Sequence, residues 1–127
     1  MVVFDTDILI DAINGKKRAL DVMDEYDARH ERIALTVLNK YELLKGRQFT
    51  RKEFIDDFIS EMKVYDLKNR DLDLASSIYK ELEDHGSMIE EIDILIAAIA
   101  LSNGEGLVTF DRHFKKINNK GVRVVEP

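Results

Sequence analysis

Hydrophobic positions along the chain follow two periods, and the switches between them divide it into elements. Residues 2–4, 33–35, 64–67, 106–109 and 122–125 are short apolar runs of strand length. Between them, apolar residues recur three and four positions apart, the spacing of one helix face. Residues 6–13 predict a helix closed by Asn14-Gly15, and residues 16–29 a second with Ala19, Leu20, Val22, Met23 and Tyr26 at helical spacing. Thr36 can cap a third, with Val37, Leu38, Tyr41 and Leu44 on one face and Gly46 as its stop. Thr50 and Glu53 form a capping box for a fourth, whose stripe is Phe54, Ile55, Phe58, Ile59 and Met62. Asn69 caps a long fifth helix with Leu72, Ala75, Ile78, Tyr79 and Leu82 facing inward. Ser87 and Glu90 box a sixth, which runs to Ser102 and stops at Asn103-Gly104.

Helices and apolar runs alternate from end to end, which predicts an α/β fold: a largely parallel sheet of about five short strands flanked by helices. There is no linker or repeat, and the only proline is the last residue. A length of 127 residues fits a single domain spanning 1–127.

Composition narrows the chemistry. With no cysteine, disulfides, iron–sulfur clusters and Cys-zinc sites are excluded. None of His30, His85 and His113 lies three or four residues from another, so a metal would be held by oxygen, which favours Mg²⁺ or Mn²⁺. The net charge of -6 argues against a simple nucleic-acid-binding module, because phosphate neutralisation supplies most of such a module's affinity. It argues less against an enzyme whose metal ions carry the positive charge, or against a protein masked by a basic partner. The opening MVVFDTDILIDAI has no basic leader, and the longest apolar stretch is interrupted by Asp93. A soluble cytoplasmic protein without membrane attachment is expected.

Of the 25 acids, the informative ones lie where a surface charge should not be. Asp93 has Ile89, Ile96, Ala97 and Ala100 as its helical neighbours, and no Lys or Arg occurs between Asp84 and Val108 to pair with it. A lone carboxylate on an apolar face must be paired, protonated or metal-bound. Asp5 ends the first strand, where parallel sheets gather ligands, although it could equally be a helix N-cap. Asp111 follows the fourth strand and has the same two readings. Glu42 borders the buried stripe of its helix, a place where structural acids are also common. Asp7 reads as a first-turn acid favoured by the helix dipole, and Asp11 as an exposed one. Two carboxylates 4 Å apart repel by about 4 kcal/mol at an effective dielectric near 20, so a cluster needs protons or a divalent cation.

At these residues the sequence resembles a known family. The segments VVFDTDILIDA, YELLKG, IDILIAAIA and LVTFDRHFKKI fall in the order and spacing of PIN domains of the VapC type, over nearly the whole chain. The resemblance implies an acidic pocket binding Mg²⁺ or Mn²⁺, with Asp5, Glu42, Asp93 and Asp111 as the metal ligands and catalytic acids. Thr6 matches the hydroxyl residue that follows the first acid and could position water or phosphate. Asp7 stands where the family often has Ser or Asn, and is not counted as a core ligand. The implied activity is hydrolysis of RNA phosphodiester bonds by a toxin–antitoxin toxin. The implied partners are an RNA substrate, a second copy of the chain and a cognate antitoxin protein. Lys40, Lys45, Arg47, Arg112 and Lys116 could contact backbone phosphates. Two other readings compete. FDTD also resembles haloacid-dehalogenase-like phosphatases, but Leu9 stands where that family carries Thr or Val, and no acidic pair follows Asp111. A non-catalytic protein-binding module on the PIN fold would be favoured by lost acids, and none is lost. A phospho-receiver domain lacks its acceptor here, since Asp56 and Asp57 fall in a helix and Asp66 lies within a strand-like run.

Overall fold

The computed structural model describes residues 1–46 and 52–126, the side chains of 52–54 excepted. Five strands, β1 (Val2–Phe4), β2 (Ile33–Thr36), β3 (Lys63–Tyr65), β4 (Gly106–Thr109) and β5 (Val122–Val124), form one sheet in the order β3-β2-β1-β4-β5. Every pairing is parallel. The helices are α1 (Thr6–Ile13), α2 (Lys17–Ala28), α3 (Val37–Lys45), α4 (Lys52–Ile59), α5 (Asn69–Asp84) and α6 (Glu91–Ser102), with a 3-10 turn at Arg112–Lys116. The predicted α/β architecture is therefore the observed one.

Side chains alternate across the strands and so feed two cores. Phe4, Leu35 and Val108 point to one face and pack with Ile8, Leu9, Val22, Tyr26, Ile55 and Ile59 of α1, α2 and α4. Val3, Ala34 and Leu107 point to the other and meet Ala75, Ile78 and Leu82 of α5 with Ile96, Ala97 and Ala100 of α6. Three buried alanines at 97, 98 and 100 make α6 thin.

The local signals hold at several ends. Thr36 caps α3 through a reciprocal box with Asn39, and Gly15 and Gly104 take left-handed backbone (φ 72° and 71°) just after α1 and α6. Elsewhere the structure departs from the pattern. The third strand is Lys63–Tyr65 rather than 64–67, because it pairs with β2 at residues 34–36. The long helix starts with Asn69 inside it; the acceptor for the amide of Lys68 is Asp71, at 2.8 Å. No Ser87–Glu90 box forms: Glu90 holds the N-cap position of α6 without a side-chain bond. Tyr41, Leu44, Leu72 and Tyr79 are exposed rather than inward, since each buried stripe is narrower than its sequence period allows. The predicted Thr50–Glu53 box lies outside the described residues.

Candidate active site

The central strands β2, β1 and β4 all run in one direction, so the connections after them reach one edge of the sheet. Asp5 follows β1 and holds the N-cap position of α1, yet its carboxylate makes no helix-capping bond. Instead Oδ2 accepts a hydrogen bond from the Thr109 hydroxyl at 2.9 Å. The same hydroxyl oxygen accepts from the amide of Asp111 at 3.0 Å. One threonine on β4 thus fixes both the Asp5 carboxylate and the main chain carrying Asp111. Asp5 is 5% exposed. Burial, then the neighbouring Asp7, pushes its carboxyl up to about 8 against the pull of its hydrogen bonds to Thr109 and Thr6.

Thr6, itself buried, donates to Oε1 of Glu42 at 2.6 Å and accepts from Nδ2 of Asn39 at 3.0 Å. Asn39 in turn is locked by Thr36, whose amide and hydroxyl both donate to its Oδ1 at 2.8 Å. A polar chain Thr36–Asn39–Thr6–Glu42 therefore runs from the end of β2 through α3 to the start of α1 and back to α3. Asn39 and Thr109 were not singled out by the sequence. Asn39 left a local trace, the T-x-x-N spacing of a capping box; Thr109 left none.

Asp93 is half-buried in the first turn of α6. Its carboxyl is pushed up to about 6 by burial, then by Glu42 and Asp111, with smaller contributions from Glu90 and Asp7. Asp111 caps the 3-10 turn by accepting from the amide of His113, and its Oδ1 also meets His113 Nδ1, both at 2.9 Å. Its capping role and its place beside the other acids coincide. The electrostatic links join all four expected acids: Asp93 to Glu42 and Asp111, and Asp5 to Asp93.

Asp7 joins them as well. Its carboxyl is raised by burial first, hydrogen-bonded by the amides of Ile8 and Phe110, and raised again by Asp111 and Asp11. Phe110 lies next to Asp111, so this contact spans the sheet edge and is invisible in a local reading of the helix start.

Among the described residues, no Lys or Arg lies within 4 Å of the carboxylates of Asp5, Asp7, Glu42 or Asp93. Uncompensated, oxygen-only donors of this kind fit a hard divalent cation in chemistry. In spacing the site is open: among the described residues, no three His, Cys, Asp or Glu side chains are close enough together to hold an ion as they stand. A cavity of about 650 Å³ adjoins Asp93 and Asp111 and is also lined by Met88, Glu90, His113 and Lys116. Of the expected phosphate contacts, Arg112 is turned toward Glu126 (3.9 Å) and Lys45 lies over the Tyr41 ring, whereas Lys116 faces the cavity. Arg47 lies outside the described residues. No helix among the described residues is long and apolar enough to cross a membrane.

Comparison with known proteins gives one consistent picture. Ribonuclease VapC2 of Haemophilus influenzae is 29% identical over 121 residues, covering 89% of each chain. Ribonuclease VapC19 of Mycobacterium tuberculosis is 28% identical over 116 residues, 90% of this chain and 92% of that one. Among solved structures, VapBC2 from Rickettsia felis, bound to a promoter DNA fragment, superposes with a TM-score of 0.81 at 24% identity over 100% of this chain and 99% of that one. A toxin–antitoxin complex from Klebsiella pneumoniae gives 0.82 at 18% identity with full coverage of both chains; these two likenesses show the fold. The PIN domain profile matches residues 2–120, and with that span covering strands β1 to β4 and Asp5, Asp7, Glu42, Asp93 and Asp111, the chain belongs to the PIN domain family.

Proposed function

We propose that the chain is a Mg²⁺- or Mn²⁺-dependent endoribonuclease that hydrolyses RNA phosphodiester bonds, the toxin of a type II toxin–antitoxin pair. What supports this reading is a set of acids that raise one another's carboxyls, Asp93 with Glu42 and Asp111, and Asp5 with Asp93, with no Lys or Arg within 4 Å of Asp5, Glu42 or Asp93 among the described residues. The names of the H. influenzae and M. tuberculosis relatives support the nuclease reading, and the antitoxin-bound neighbours support a cognate antitoxin partner. Asp5, Glu42, Asp93 and Asp111 would hold the ion. When bound, it supplies activation of water and neutralisation of charge on the phosphate. The chain's own residues set the geometry: Thr109 orients Asp5, Thr6 orients Glu42, and Asn39 holds Thr6. A net charge of -6 favours a basic antitoxin segment, whose Arg could bridge the carboxylates in two-pronged fashion. A cytoplasmic homodimer completes the proposal.

The test is induced expression in cells followed by sequencing of RNA ends, then cleavage of a synthetic RNA spanning the mapped site with Mg²⁺, Mn²⁺ or EDTA. Discrete cuts in cells, reproduced in vitro only with metal, support the reading; no cuts, or cuts unchanged by EDTA, overturn it. Turnover of para-nitrophenyl phosphate without RNA cleavage would select the phosphatase instead. That alternative is disfavoured because Asp5, which would have to be its nucleophile, is almost wholly buried and engaged by Thr109.

A further inference from the structure

The 3-10 turn Arg112–Lys116 carries four basic side chains, and the fold sorts them onto two sides. Arg112 and Lys115 both reach Glu126. His113 and Lys116, three positions apart and so on the same side of a 3-10 turn, line the 650 Å³ cavity beside Asp93 and Asp111. Among the described residues, Lys116 has no carboxylate partner. Its Nζ reaches only the backbone carbonyl of Met88 at 3.4 Å, long for a hydrogen bond and cheap to give up. His113 is held by Asp111 through Nδ1, which leaves Nε2 without a partner. Met88, which is exposed, and Ile89, half-buried, also line the cavity, before Glu90 and Glu91.

The cavity thus combines a cationic, an apolar and an acidic part in its lining, next to Asp93 and Asp111. Its volume lies within the range that holds a small ligand. We infer that it is the subsite for one unpaired nucleotide next to the scissile phosphate, with Lys116 holding that nucleotide's phosphate and Met88 and Ile89 holding its base. Glu90 and Glu91 would repel a phosphate, so the charge pattern assigns the phosphate to Lys116 and the base to the Met88 and Ile89 side chains. Side-chain access to a base requires it to be splayed out of a helix, so the subsite reads a loop or single strand. The inference rests on the nuclease reading.

The probe is a fluorescein-labelled synthetic RNA spanning the cleavage site mapped in cells. KM and kcat are measured with Mg²⁺ at several salt concentrations, and binding by anisotropy in EDTA. Lys116→Ala should raise KM roughly fivefold with kcat within about twofold, and lower the salt slope by about 0.7, the share of one single-strand phosphate. Lys116→Arg should restore both. Met88→Ala should weaken binding without changing the salt slope. Lys115→Ala, on the Glu126 side, should match the native chain. Lys116→Ala indistinguishable from native, or Lys115→Ala equal to it, overturns the subsite while cleavage by the native chain keeps the nuclease reading. If no RNA is cut at all, both fall together.

Discussion

The hydroxyl of Thr6 donates to Oε1 of Glu42 at 2.6 Å across 36 positions of sequence. It thereby ties the start of α1 to α3, while its oxygen accepts from Asn39. Replacing Thr6 by Val keeps the shape and removes both bonds. Asn39 Nδ2 is left buried and unpaired, at a cost of about 1–3 kcal/mol. Activity should fall at least about tenfold as Glu42 loses its orientation, whereas Thr6→Ser should retain most of both. Urea melts and cleavage rates of the two variants check this; equal behaviour of Val and Ser would remove the hydroxyl from the argument.

Asp93→Asn should abolish cleavage yet leave the metal-free protein as stable as before, or more so at pH 8. Burial and the charges of Glu42 and Asp111 work against ionised Asp93, so a neutral isostere relieves repulsion. A clear loss of Tm in EDTA would mean that Asp93 is a structural partner instead.

Stability should also depend on pH with a definite sign. Folding raises the carboxyls of Asp5 to about 8 and Asp93 to about 6. Between an ordinary carboxylate value and these, the folded state binds more protons than the unfolded one, so stability falls as pH rises. The metal-free chain should lose on the order of 5 °C in Tm from pH 5 to pH 8. Millimolar Mg²⁺ should recover part of this at pH 8 and little at pH 5. A Tm that rises across that interval in EDTA would contradict the assignment.

Thr109→Val should loosen two acids with one substitution, because the hydroxyl serves both the Asp5 carboxylate and the Asp111 amide. The expected result is a loss of activity of about tenfold or more and a weaker Mg²⁺ response of Tm, with Thr109→Ser close to native. An unchanged Mg²⁺ response would separate Thr109 from the ion site.

Purified alone, the chain should run as a dimer in light scattering. Co-expressed with its neighbouring reading frame, it should form a complex that no longer cleaves RNA. Inhibition should weaken as Mg²⁺ is raised, since ion and basic segment compete for the same carboxylates. A complex as active as the free chain would refute the antitoxin part of the proposal.

The order of elements was legible because strand ends and helix stops are local events. Asp93 was legible for a similar reason: its apolar neighbours at helical spacing and the absence of a nearby cation are properties of the string. Asp7 was not, because a first-turn acid already has a sufficient local cause; only its contact with the amide of Phe110, more than a hundred residues away, turns it toward the other acids. Tyr41, Leu44, Leu72 and Tyr79 were misplaced because periodicity gives the centre of a buried stripe and not its width. Arg112 could not be told from Lys116, since the difference is Glu126, which the fold brings back against the 3-10 turn.

Strand β4 pairs with β1, yet it is made a hundred residues later. Thr109 and Asp111 are therefore absent while most of the protein is being synthesised, and Asp5 has no hydroxyl to hold it. A nascent chain halted anywhere before residue 109 should be inert toward the messenger and ribosome that produce it. Early nonsense mutations should be as harmless to a host cell as deletion of the whole gene, and growth of strains carrying such truncations would show it.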